Sequence, residues 1–227
     1  MRQPPPRNVL RDEWRYGPCG IAGKGTFYFF RKVECPLFAL LAALVLMCLM
    51  QRALPAADGL ELGPKLVMII RHGEKPDENA PVKDKDLSPQ GRERSHALVK
   101  VFGKDKEFPK PDVLIAARHS KHSNRSAETI NPLAAALGKK IDATYDEEDY
   151  AKLARAILTE RKYAGKTILI AWHHNSIPPL AHALGAKDAP DKWKGKSFDR
   201  VWELRFADGA VTFKNLPQKA LPGDAEE

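Results

Sequence analysis

Apolar residues run without interruption through Leu66-Val67-Met68-Ile69-Ile70 and stop at Arg71-His72-Gly73. A run of that kind, rather than an alternation of apolar and polar positions, predicts a strand buried on both faces, as in a parallel sheet. Asp112–Ala117 and Thr167–Trp172 repeat the pattern. Between and after them lie stretches with helical signals. A helix is predicted from Ser88, a natural N-cap followed by Pro89, to about Phe102. Others are predicted over Ser126–Leu137, closed by Gly138, over Asp149–Leu158, and over Ser176–Leu184, closed by Gly185. Arg200–Phe206 and Ala210–Leu216 flank Ala207-Asp208-Gly209, which predicts a hairpin. Strands alternating with helices argue for an α/β domain, placed over residues 64–216 with a short tail at 217–227.

The amino-terminal part has a different pattern. Cys35 to Met50 is sixteen residues without a charge, preceded by Arg31 and Lys32 and followed by Gln51 and Arg52. A bilayer-spanning helix needs about 20 residues. Residues 33–52 are therefore expected to be a signal-peptide core or an uncleaved membrane anchor, with Ala53–Ala57 offering small residues for cleavage. Residues 1–32 form a basic leader, expected to be mostly disordered, whose Phe27–Phe30 cluster suits a membrane interface. In either case the basic flank stays cytoplasmic and the following domain is exported, to a periplasmic or extracellular site.

Charge and cysteine usage narrow the chemistry. The net charge is +8, but residues 1–32 carry +5 of it, so nucleic-acid binding by the folded part is not indicated. All three cysteines lie before residue 49, which excludes a catalytic cysteine, a disulfide framework or a thiolate metal site from the domain. In open α/β sheets ligands sit beyond the carboxyl ends of the strands. Arg71 and His72 fall at such an end, an anion clamp beside a candidate nucleophile.

Arg71-His72-Gly73-Glu74 resembles the signature of the histidine phosphatase superfamily, also called the phosphoglycerate mutase-like family. Ser123-Asn124-Arg125-Ser126-Ala127-Glu128-Thr129 resembles its second block, with Arg125 and Thr129 at the family's spacing and Arg118 as a competitor for the phosphate role. Ala171-Trp172-His173-His174-Asn175-Ser176 resembles the second-histidine motif, with Trp172 where Gly is usual, a departure expected to tighten the pocket wall. Asp86–Gly91 resembles the Leu-Thr-x-x-Gly block and is taken as structural.

The resemblance implies a three-layer αβα sandwich with a mostly parallel central sheet, phosphoglycerate mutase-like, from a branch without a large cap. It implies a phosphatase acting on a phosphomonoester or a phosphohistidine through a phosphohistidine intermediate. His72 would be the nucleophile, with Arg71, Arg125, His72 and His173 around the phosphate. For the leaving-group proton His174 is placed ahead of Glu74, and both ahead of the Asp146–Asp149 loop, because an arginine-rich pocket depresses carboxylate pKa values. The substrate is expected to be a phosphorylated small molecule or a phosphoprotein. No cofactor or metal is required; zinc on His72, His173 and His174 is the rival there, but no Asp or Cys ligand recurs to support it. A catalytically silent phosphate- or phosphoprotein-binding module is the alternative function.

Overall fold

Strand β1 (Leu66–Arg71) is fully buried, and its alternate side chains enter two separate cores. Val67 and Ile69 join one, and Leu66, Met68 and Ile70 the other. This is why the run carries no polar interruption: both faces of the sheet are covered. The computed structural model describes residues 63–76, 84–103 and 106–225. All of them fall in one unit, Asp58–Glu227.

The other elements are α1 (Pro89–Val101), β2 (Val113–Ala116), α2 (Arg125–Leu137), β3 (Ile141–Asp142), α3 (Tyr150–Thr159), β4 (Thr167–Trp172), α4 (Ile177–Ala183), β5 (Arg200–Ala207) and β6 (Ala210–Pro217). A 3₁₀ turn, Arg161–Tyr163, precedes β4. The sheet order is β3-β2-β4-β1-β5-β6. β1, β2, β3 and β4 run parallel; β5 and β6 are antiparallel to their neighbours and joined by Asp208 (φ 52°) and Gly209 (φ 72°), a left-handed pair suited to a tight hairpin. Leu98 and Val101 of α1 and Ile130 and Leu133 of α2 pack on one face, while Leu153 and Ile157 of α3 and Leu180 of α4 pack on the other. The fold is the three-layer αβα sandwich with a mostly parallel sheet.

Two features place a site. The chain leaves β1 for α1 on one face and leaves the adjacent β4 for α4 on the opposite face, which opens a crevice at their carboxyl ends. The register sets Arg71 opposite Trp172, so His72 and His173 leave the sheet at the same level.

The structure departs from the sequence reading at the carboxyl end. Residues 218–225 do not trail away as a tail: Gln218 is buried, and Asp224 ion-pairs with Arg94 in α1. Among the described residues no helix is long and apolar enough to cross a membrane. The leader, the apolar run 35–50, the cleavage segment and the three cysteines lie outside the described residues.

Candidate active site

His72 is 3 % exposed, and its backbone N–H extends the sheet by one bond to Trp172 O, 3.0 Å away. Its Nδ1 lies 2.8 Å from Gly73 O. A carbonyl can only accept, so Nδ1 carries the hydrogen and Nε2 keeps the lone pair. Burial, with the nearby His173, Arg71 and Arg125 against the Gly73 bond, holds its pKa well below the ordinary 6.5. His72 is thus neutral at physiological pH, with a nucleophilic nitrogen available.

The backbone beside it is held from three directions. Gly73 N–H donates to Thr129 Oγ1 at 2.8 Å, and the same hydroxyl donates to Arg125 O at 2.7 Å, joining the end of β1 to the first turn of α2. Ser88 caps α1 by accepting from Gly91 N–H at 3.0 Å, and its own N–H donates to Glu74 O at 2.9 Å. A Cβ on Gly91 would come within 2.4 Å of Glu74 O, so the block at 86–91 requires its glycine for a close backbone approach. Glu74 itself is engaged: Arg94 Nε lies 3.0 and 3.2 Å from its two oxygens, and Nη2 lies 2.8 Å from Oε1. Both carboxylate oxygens of Glu74 are therefore engaged by this buried guanidinium.

The second imidazole meets the first edge-on, with ring centroids 5.1 Å apart. His173 Nδ1 lies 2.7 Å from Glu147 Oε2, which orients its Nε2 as the other free ring nitrogen. Burial, then Arg125 and Arg71, push the His173 pKa down to about 4. His174 is pushed down to about 4 by burial, Arg71, Lys75 and His173, so it shares Arg71 with His173. Trp172 is fully buried, and its indole N–H donates to Glu147 O at 3.1 Å. Rather than tightening a pocket wall, Trp172 ties down the loop that presents Glu147.

Arg125 is half-buried at the start of α2, where Nη1 donates to Asp84 O at 3.2 Å. Arg118 bonds instead to Thr144 O and Asp146. Arg71 is 1 % exposed; its Nη1 donates to Gly195 O and, at 3.3 Å, to Ser197 O, and its guanidinium carbon lies 3.9 Å from the Phe198 ring centroid. Burial and Arg125, against the attraction of Glu74, bring the Arg71 pKa down to about 10. Arg71 Nε and Arg125 Nε are both buried without a hydrogen-bond partner. Such donors are rare in folded proteins and call for an acceptor. Beyond Phe198 a groove of about 870 Å³ opens, bounded by Lys75, Ser88, Gln90, Lys196 and Phe198.

The structure thus brings together Arg71, His72, Arg125, His173 and His174, and adds Glu147 and the Gly195–Phe198 loop. Sequence reasoning ranked Glu147 last, as one of four consecutive acids; the signal that separates it is Trp172. Phe198, an aromatic residue in a lysine-rich loop, was a visible but unused signal. Among the described residues no cluster of three or more His, Cys, Asp or Glu side chains is arranged to hold a metal ion.

No family model matches the chain, and a search of the curated proteins found no match. Solved structures do match. The chain is similar to phosphoglycerate mutase from Bacillus anthracis (14 % identity, 69 % of this chain and 94 % of that one, TM-score 0.46). It is also similar to the protein histidine phosphatase SixA complexed with tungstate (15 %, 67 % and 97 %, 0.46). A third is the α-ribazole phosphatase from Shigella flexneri (11 %, 69 % and 98 %, 0.41). These neighbours are of the histidine phosphatase superfamily, the family that the three motifs resemble.

Proposed function

We propose that this chain is a phosphatase of the histidine phosphatase superfamily, hydrolysing a phosphomonoester or a phosphohistidine by way of a phosphohistidine on His72. The observation that carries the reading is the pair of buried guanidinium Nε donors without partners beside a neutral imidazole whose Nε2 is free.

Nε2 of His72 attacks phosphorus as the bond to the leaving oxygen breaks, and a proton passes to that oxygen. Arg71, Arg125 and protonated His173 hold the equatorial oxygens, where charge concentrates in the transition state. Water then attacks phosphorus, the N–P bond breaks, and phosphate departs. The leaving-group proton is assigned to His174, whose imidazole gains proton affinity when a phosphate dianion joins Arg71 and Lys75. Glu147 is the rival donor, favoured by its fixed contact with His173.

Purified chain should hydrolyse an aryl phosphate and trap acid-labile label from a labelled ester, and His72→Ala should lose both. Binding of phosphate without turnover would instead favour the silent module. His174→Ala should slow alkyl esters far more than aryl esters; if Glu147→Gln does so instead, the donor is Glu147. The domain is proposed to act outside the cytoplasm, delivered or tethered through residues 35–50. A reporter fused after Glu227 that works only in the cytoplasm would reject that placement.

A further inference from the structure

Glu74, Arg94 and Asp224, charges that the chemistry above leaves unused, converge on one place. Arg94 in α1 is 3 % exposed and donates to three partners. Besides Glu74, these are Gln218 Oε1 at 2.9 Å and both oxygens of Asp224 at 2.8 Å. Asp224 also accepts from the backbone of Ala220 at 2.8 Å and Leu221 at 3.0 Å, which folds residues 218–225 into a closed turn around its carboxylate. The same segment grips the opposite wall of the site. Ala225 N–H donates to Asp199 Oδ2 at 2.8 Å, and Gln218 N–H donates to Asp199 O at 2.7 Å. Asp199 Oδ1 accepts from Ser197 Oγ at 2.8 Å, and Ser197 O accepts from Arg71.

Two chains of contacts therefore leave one segment. One runs through Arg94 to Glu74, two residues beyond the nucleophile. The other runs through Asp199 and Ser197 to the guanidinium of Arg71. The loop at 195–198 has no regular hydrogen-bond ladder of its own, since Gly185 and Arg200 bracket a stretch without helix or strand. Its position relative to β1 is set by these bonds, by Phe198 on Arg71, and by the Trp193 indole N–H, which donates to Ser197 O at 2.9 Å. We infer that residues 218–225 are a positioning strap for the active site, with Arg94, Gln218 and Asp224 holding His72 and Arg71 in register with each other. The inference rests on the phosphatase reading for its catalytic consequence, and on the contacts alone for its effect on anion binding.

The test uses the full chain and orthovanadate, which adopts the five-coordinate geometry of phosphoryl transfer. Calorimetric titration gives both the number of competent sites and their affinity, and aryl phosphate turnover is then expressed per competent site. Asp224→Ala should lower kcat per site about tenfold or more and weaken vanadate by a similar factor, with KM changed less than about threefold, since a misplacement near 1 Å costs on the order of a hundredfold. Asp224→Asn, which keeps an acceptor, should recover part of the loss. Gln218→Leu, a milder change for a chain that must still fold, should move kcat and vanadate affinity the same way by at least about threefold. Fewer sites with unchanged affinity and turnover per site, in either variant, would make the strap merely structural and overturn the inference. A wild-type chain that binds vanadate but turns over nothing would reject the phosphatase reading, while weaker vanadate binding by the variants would still uphold the strap.

Discussion

Replacing Thr129 by Val separates the hydroxyl from the space it fills. The side chain is fully buried, and its oxygen both accepts from Gly73 N–H at 2.8 Å and donates to Arg125 O at 2.7 Å. Valine has nearly the same shape, so packing is retained while a buried N–H beside the nucleophile is left without an acceptor. An unsatisfied buried donor costs about 1–3 kcal/mol. For a domain of this size that corresponds to a loss of roughly 2–12 °C in Tm. The hydroxyl also ties the residue after His72 to the backbone of Arg125, so its loss loosens nucleophile and anion clamp together. Turnover should fall by about ten- to a hundredfold. Thr129→Ser keeps the hydroxyl and removes a methyl, so it should lose about 1 kcal/mol of stability and little turnover. Thermal melts and aryl phosphate kinetics on both variants provide the assay. If Val turns over like the wild type while Ser does not, the hydroxyl is not what aligns the site.

Two further outcomes follow from geometry and charge. Gly91→Ala places a Cβ 2.4 Å from Glu74 O and 2.9 Å from Glu74 N, both backbone atoms, so the urea midpoint should drop by the equivalent of about 1–3 kcal/mol or more, with turnover reduced alongside. His173 has its folded pKa lowered to about 4, so between about 6.5 and 4 the unfolded chain binds more protons; its contribution to stability should be full above 6.5 and fall with acidification through that window, by at most about 3.4 kcal/mol, and His173→Gln should flatten the slope of urea midpoint against pH.

The strands and helices were legible because their signals are local: unbroken apolar runs, Ser88-Pro89 at a helix start, Gly138 and Gly185 at helix ends, and Asp-Gly at the hairpin. The juxtaposition of His72 and His173 was legible for a related reason, since each follows such a run. β3 was not, because two paired residues, Ile141 and Asp142, leave no periodicity to read. Nor was the strap. Arg94 meets Gln218 and Asp224 across more than 120 residues, and no short pattern reports so distant a partner. Glu74 has a partner the sequence did not report. Its place beside the signature suggested chemistry, but a carboxylate's role depends on what lies across from it, and Arg94 came from another element.

The charge arrangement explains why a site rich in arginine keeps its histidines neutral. Burial comes first among the causes that lower His72, His173 and His174, and Arg71 repels a proton from each of them. A neutral His72 is what nucleophilic attack requires, whereas phosphate binding by His173 requires its proton. Glu147 resolves the conflict for one ring and not the other. It touches His173 Nδ1, whereas His72 Nδ1 faces a neutral carbonyl. When a phosphate dianion enters between Arg71 and Arg125, it offsets the two guanidiniums and favours protonation of whichever imidazole already has a carboxylate behind it. In the proposed mechanism the substrate itself would then set the two histidines apart, with His72 as the nucleophile and His173 as a cation on the transferring group.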